Sequence, residues 1–288
     1  MLTRRAFVTG CSAVFCSCAL APSKEAQAIE LLRKEHSRVG GRLGVHALDT
    51  GTGRRIGLDD GSRFAMTSTF KLLLAAAVLE RCDRGVLKLD QRVTYGASDM
   101  VPHAPETAKN LERGFMSLEE LCSAIVTVSD NPAANVLLGQ LGGQAELTGF
   151  ARSLGDEVTR LDRLEPALNE NEPADPRDTT SPRAMVDTMQ ALLIGGALSP
   201  ASRERLIGWL VASQTGLKRI RGGLPGGWRV GDKTGTGANG AVNDLAIAWP
   251  PGRPPILIAI YMSESTQSVE ALSAGHRAIA TIIAQAWS

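Results

Sequence analysis

Apolar and polar positions alternate loosely from Arg42 to Ala47, and the pattern stops at Asp49-Thr50-Gly51-Thr52-Gly53. Alternation ending in such a cluster predicts a strand entering a tight turn, with a second strand returning toward Ile56. Leu72 to Leu79 is instead a continuous apolar run rich in Ala and Leu, which predicts a buried helix with Ser68 just before it. Ser117-Leu118-Glu119-Glu120 has the spacing of a capping box and predicts the start of another helix. Ser181-Pro182 and Ser199-Pro200 each place a cap residue before a proline at the first helical position, predicting helices to about Leu193 and Leu210. The last third changes character. Trp228 to Lys233, Val242 to Trp249 and Pro255 to Met262 read as strands, with a turn at Ala238-Asn239-Gly240, and Val269 to Ala286 reads as a long C-terminal helix.

Strands, many helices, strands and a final helix predict a two-lobed α/β fold: an antiparallel sheet flanked by helices, with an all-helical lobe inserted into it. The sheet lobe is expected over about 22–60 and 215–288, and the helical lobe over about 68–212. Leu161 to Thr180 is irregular and rich in Glu, Asp, Asn and Pro. A loop of that length in a compact domain is usually functional.

Composition narrows the function. The chain has 288 residues, 43% hydrophobic and 21% charged, which is globular. A net charge of +1 with scattered Lys and Arg, and only 4% aromatic residues, argues against nucleic acid as a partner. His36, His46, His103 and His276 form no close ligand spacing, and no phosphate loop or dinucleotide fingerprint occurs, so neither metal nor cofactor is expected. The four tryptophans, Trp209, Trp228, Trp249 and Trp287, are expected to serve packing.

Arg4-Arg5 ahead of a small, apolar stretch from Val8 to Leu20, with Ala19-Leu20-Ala21 as a cleavage site, reads as an export signal of twin-arginine type covering residues 1–21. The stretch is too short to span a bilayer. The mature protein is expected to be periplasmic or secreted, and monomeric. Val8-Thr9-Gly10-Cys11 loosely resembles a lipid-attachment box, and Cys16 and Cys18 lie in the same segment. Removal of the segment leaves Cys82 and Cys122, which an oxidising compartment permits to bridge or leaves as two separate thiols.

The candidate chemistry is dispersed along the chain. Ser68 and Lys71 stand three apart at a helix start, so they share a face. A serine hydroxyl needs a neighbouring base, and a lysine serves once burial lowers its pKa. Ser129-Asp130-Asn131 looks alone like a turn and a cap, and Lys233-Thr234-Gly235 like a strand before a glycine-rich turn. Together they supply a second serine to relay a proton, and a lysine and threonine to hold a carboxylate. Gly235 permits close approach of a substrate backbone.

With Glu165-Pro166-Ala167-Leu168-Asn169, these segments give four motifs in order: S-x-x-K, S-D-N, a loop glutamate and K-T-G. The sequence resembles the class A serine β-lactamases across essentially the whole mature chain. The resemblance implies small-molecule β-lactam substrates and a hydrolase that acylates Ser68, with Lys71 taking part in its activation. It implies an oxyanion hole from the backbone N–H groups of Ser68 and Thr236, and Ser129 as proton donor to the lactam nitrogen. Glu165 and Asn169 would hold the hydrolytic water, Asn131 the substrate side-chain amide, and Lys233 with Thr234 the substrate carboxylate. Arg163 and Asp178 would pair across the neck of the loop. The stretch after K-T-G carries no arginine, and Arg219 stands where some members supply one from upstream, with Arg221 as its neighbour and competitor.

The chain departs from the family in two places. The partner of the cysteine that many members carry near Cys122 falls where this chain has alanines, about two turns before Cys82. The cysteines that some carbapenem-hydrolysing members place beside the nucleophile and after the Thr236 position are here Thr67 and Gly237. His103 lies near the site rim, where members often carry an aromatic ring; it either stacks on substrate or is simply exposed. Two other readings share the nucleophile and K-T-G: a penicillin-binding DD-peptidase, and a receptor domain that stays acylated. Neither needs Glu165 with Asn169.

Overall fold

The structure, a computed structural model, describes residues 23–287; the export-signal reading falls outside them. The chain opens with α1 (Lys24–Val39), β1 (Arg42–Asp49) and β2 (Arg55–Leu58), then β3 (Phe64–Ala65), α2 (Phe70–Asp83), β4 (Arg92–Thr94) and β5 (Phe115–Ser117). The helices α3 (Leu118–Thr127), α4 (Asn131–Leu141) and α5 (Gln144–Ser153) follow, then β6 (Thr179–Thr180), α6 (Pro182–Leu193), α7 (Pro200–Val211) and the short α8 (Ile220–Gly223). The chain closes with β7 (Arg229–Thr236), β8 (Val242–Trp249), β9 (Ile256–Ser263) and α9 (Val269–Ala286).

One antiparallel sheet has the order β2-β1-β9-β8-β7. The N-terminal hairpin therefore returns beside the C-terminal strands, as the element order predicts. β1 and β9 pair from Arg42 against Ser263 to Asp49 against Ile256. β7 is left at the edge, with Thr234 opposite Asp244 and Gly235 opposite Asn243. α1 and α9 cover one face of the sheet, where Leu32, Ile260, Ile279 and Trp287 share an apolar cluster. A second cluster surrounds α2, whose residues Phe70 to Leu79 are all buried. An apolar run without periodicity is what a helix enclosed on all sides requires.

The predicted caps form. Ser117 accepts the Glu120 amide while Glu120 accepts the Ser117 amide, and Ser181 and Ser199 cap α6 and α7 ahead of their prolines. Ser68 stands just before its helix, as the apolar run predicts. Thr67–Thr69 form a 3₁₀ turn, α2 begins at Phe70, and Ser68 makes no capping bond. Its hydroxyl is thereby left for other partners. Cys82 is half-buried and Cys122 buried, and both are free thiols. Trp287 is buried, and Trp209, Trp228 and Trp249 pack partly buried against the two clusters.

The sheet fixes the 67–69 turn through Asn243 of β8. Its amide Nδ2 faces Ala65 O at 2.9 Å, Met66 O at 3.2 Å and Thr67 Oγ1 at 3.0 Å. Asn243→Leu removes this donor from Ala65 O and Thr67 Oγ1, while Met66 O keeps those of Thr67 and Thr69, and should lower unfolding free energy by about 1–3 kcal/mol. Urea denaturation checks this; a shift below ~0.5 kcal/mol would mean the turn is held by other contacts.

Candidate active site

Ser68, Ser129, Asn131, Asn169, Thr234, Gly235, Thr236 and Arg219 line one cleft of about 310 Å³, together with His103 and Thr215. The turn before α2, the loop entering α4 and the edge strand β7 converge there, joined by the long loop at Asn169, the segment before α8 at Thr215 and Arg219, and the loop carrying His103.

Lys71 lies directly beneath Ser68 and is fully buried. Its Nζ stands 3.0 Å from Ser68 Oγ, 2.9 Å from Glu165 Oε1, 2.9 Å from Ser129 O, 3.4 Å from Ser129 Oγ and 2.5 Å from Asn131 Oδ1. Burial pushes the Lys71 ammonium below its ordinary value, opposed by the Glu165 carboxylate. Ser68 Oγ is also 3.3 Å from Glu165 Oε1, so two groups able to take its proton stand within reach.

Asp130, the middle residue of S-D-N, is an anchor. It caps α4 through the Ala133 amide and accepts the amides of Glu106 and Thr107, each at 2.9 Å. Ser129 has a positive φ of 63°, which turns its side chain back between two lysines. Lys233 Nζ donates to Ser129 Oγ at 3.0 Å and to Thr234 O at 2.7 Å. Its pKa lies well below the ordinary lysine value through burial and then the Lys71 charge. Both lysines act as donors to Ser129 Oγ, which frees that hydroxyl's own proton for another acceptor. The Asn131 amide is engaged at both ends, by Lys71 and by Pro102 O at 2.9 Å.

Glu165 sits in a polar loop, yet it is only 3% exposed. Asn135 holds its backbone in both directions, accepting Glu165 N–H and donating to Glu165 O at 2.9 Å each. Asn169 Nδ2 meets Glu165 Oε2 at 2.5 Å, and Asn169 Oδ1 has no partner among the described residues. The loop's neck closes between Arg163 and Asp178. Buried Asp178 accepts the amides of Asp162 at 2.7 Å and Arg163 at 2.9 Å, and pairs with Arg163 Nε at 2.5 Å. Its other end is tied to the β7–β8 turn by Asn171, whose Nδ2 reaches Ala238 O, Asn239 O and Ser263 Oγ.

Arg219 is 7% exposed and reaches Gly235 O at 2.8 Å, Asn243 O at 2.7 Å and Thr236 Oγ1 at 2.7 Å. Arg221 is committed elsewhere: it pairs with Asp232 at 2.6 Å and does not line the cleft. Gly235 answers to the nucleophile's own turn. A Cβ there would fall 2.1 Å from Thr67 Oγ1 and 3.2 Å from Ser68 N. A Cβ on Gly237 would fall 2.8 Å from Thr67 Cγ2, so the two departures from the cysteine-bearing members are neighbours in space. The exposed His103 is tethered, with Nε2 3.0 Å from Val128 O and its carbonyl accepting the backbone N–H of Asn131. Asn135, Thr215 and Asn243 were missed by motif reading. Asn135 alone left a signal, since it follows Asn131 by four residues on one helix face. Among the described residues no cluster of His, Cys, Asp and Glu is placed to hold a metal, and no helix is long and apolar enough to cross a membrane.

Comparison with known proteins agrees with this geometry. The family model described as "Beta-lactamase enzyme family" matches residues 22–287. The chain belongs to the class A β-lactamases. Beta-lactamase AST-1 of Nocardia asteroides is 48% identical, over 80% of this chain and 74% of that protein. The carbapenem-hydrolyzing beta-lactamase KPC of Klebsiella oxytoca is also 48% identical, over 77% of this chain and 76% of its own. Among solved structures, an ancestral (GNCA) class A β-lactamase is 55% identical with a TM-score of 0.89, covering 90% of this chain and all of that one. A beta lactamase from Xanthomonas campestris pv. campestris is 44% identical with a TM-score of 0.90, covering 92% and 99%. In this class A chain the loop neck joins an arginine to a wholly buried carboxylate. Asp178→Ala should therefore cost about 3 kcal/mol of stability, since it removes the buried partner of Arg163, leaving that arginine its half-exposed partner Glu170, and strips two amides of their acceptor. A thermal or urea transition matching the parent protein would show that the neck carries no such weight.

Proposed function

We propose that this β-lactamase hydrolyses β-lactams through an ester on Ser68, which a water activated by Glu165 then releases. The observation that carries the reading is Glu165: a buried carboxylate 3.3 Å from Ser68 Oγ with the Asn169 amide against its other oxygen. A DD-peptidase or an acylated receptor needs the serine and both lysines, but no such carboxylate.

Ser68 Oγ attacks the lactam carbonyl carbon as its proton passes to Lys71 or Glu165. The carbonyl oxygen becomes an oxyanion facing the backbone N–H groups of Ser68 and Thr236; donors of this kind are worth about 3–4 kcal/mol where one has been removed from a protease. The C–N bond breaks, the nitrogen takes the Ser129 proton, and Ser129 regains one from Lys71, which passes on the proton that Ser68 released. Lys71 and Lys233 favour that transfer by stabilising the oxygen left behind. Lys233, Thr234 and Arg219 hold the substrate carboxylate, and Asn131 its side-chain amide. A water between Glu165 and Asn169 then loses a proton to Glu165 and attacks the ester carbonyl. Ser68 leaves with a proton, and the product is the ring-opened amino acid. Export by residues 1–21 to the periplasm or medium fits this role, because the substrates arrive from outside.

Steady-state assays with a chromogenic cephalosporin, run beside a D-Ala-D-Ala peptide, decide between the readings. Sustained cephalosporin turnover with no peptide cleavage is expected. A burst of one equivalent without turnover, or peptide cleavage instead, would overturn the hydrolase reading.

A further inference from the structure

Arg219 reaches the cleft from the irregular segment between α7 and α8, and α8, which it caps, has only four residues. Such a segment does not by itself hold an arginine to three acceptors within 2.8 Å. The support comes from β8. Asp244 is fully buried, and its Oδ2 accepts the amide N–H of Ile220, the residue directly after Arg219, at 3.0 Å. Its Oδ1 has no partner among the described residues. Asp244 is opposite Thr234 in the β7–β8 register, and opposite residues share a face of the sheet. The strand pair that presents Thr234 thus also carries the tether for the Arg219 backbone. The charged groups that face Asp244 are Asp232, Arg219 and Lys233. Asp232 is taken by Arg221, so it does not duplicate the tether.

We propose that Asp244 is a positioning residue for the substrate carboxylate, because its bond to the Ile220 amide fixes where Arg219 leaves the backbone and so holds the guanidinium beside Thr236. Asp244 does not line the cleft and acts through the placement of Arg219. The inference rests on the reading of the cleft as a β-lactam site. An amide of the same shape also accepts from Ile220, so Asp244→Asn keeps the tether and Asp244→Ala removes it.

Penicillin G binding is measured in a Ser68→Ala background, where no ester forms, so the result is independent of turnover. Arg219→Ala should weaken binding about tenfold and Asp244→Ala about fivefold, while the double variant should be no weaker than Arg219→Ala alone. Asp244→Asn should stay within about twofold of the parent protein. With Ser68 restored, Asp244→Ala should raise KM by the same factor and leave kcat within about twofold, a split that general loosening of the fold would not give. Unchanged binding in Asp244→Ala, losses that add in the double variant, or an Asp244→Asn protein as weak as Asp244→Ala would each overturn the proposal. A second measurement needs no variant. The Ile220 amide of the unaltered protein should exchange with solvent at least ~100-fold more slowly than an unstructured amide. Exchange at the unprotected rate would also refute the tether.

Discussion

The site depends on keeping the Lys71 ammonium out of water. A lone buried charge costs several kcal/mol, so the fold must surround it with oxygens. Apart from Ser68 Oγ, those oxygens come from parts of the chain 58 to 94 residues away in sequence. Ser129 and Asn131 arrive on the loop entering α4, and Glu165 arrives on the long loop. Meeting the requirements of one lysine thus brings the nucleophile, the proton relay and the loop carboxylate into contact. The lysine must sit on a helix buried on every side, and Phe70 to Leu79 provides that helix.

The second lysine extends the same logic across the cleft. Lys233 enters from the edge strand β7 and meets the first cation's environment at Ser129. Two lysines converging on one hydroxyl hold its oxygen and orient its proton toward the cleft. β7 approaches closely enough for this only because Gly235 has no side chain to strike Thr67. Asn243, one strand in, ties the nucleophile's turn to the same sheet. Sheet lobe and helical lobe are therefore joined at the reacting atoms.

The strands and the strongly capped helices were legible because each has a local cause. β8 and α9 appear with the bounds the pattern predicts, and Ser117, Ser181 and Ser199 cap as their spacing implies. α1 left little signal, since charged residues dominate it and only Ala28, Leu32, Glu35 and Val39 turn inward. α5 buries only Leu147 and Ala151. The four motifs named the residues at the centre of the cleft, but not what holds them. Asn135, Thr215, Asn171 and Asn243 are ordinary polar residues whose partners lie far away in sequence. Nothing local tells that Glu165, in a polar loop, is almost wholly buried, or that Asp244 lies under Arg219.

The claim on which the mechanism turns is that Glu165 serves the release of the ester. Glu165→Gln keeps the side chain's shape and removes its basicity. Mixed with a penicillin and followed by intact-mass spectrometry, that variant should form a covalent adduct on Ser68 that persists, because release slows far more than acylation. Turnover near that of the unaltered protein, with no adduct, would contradict the account.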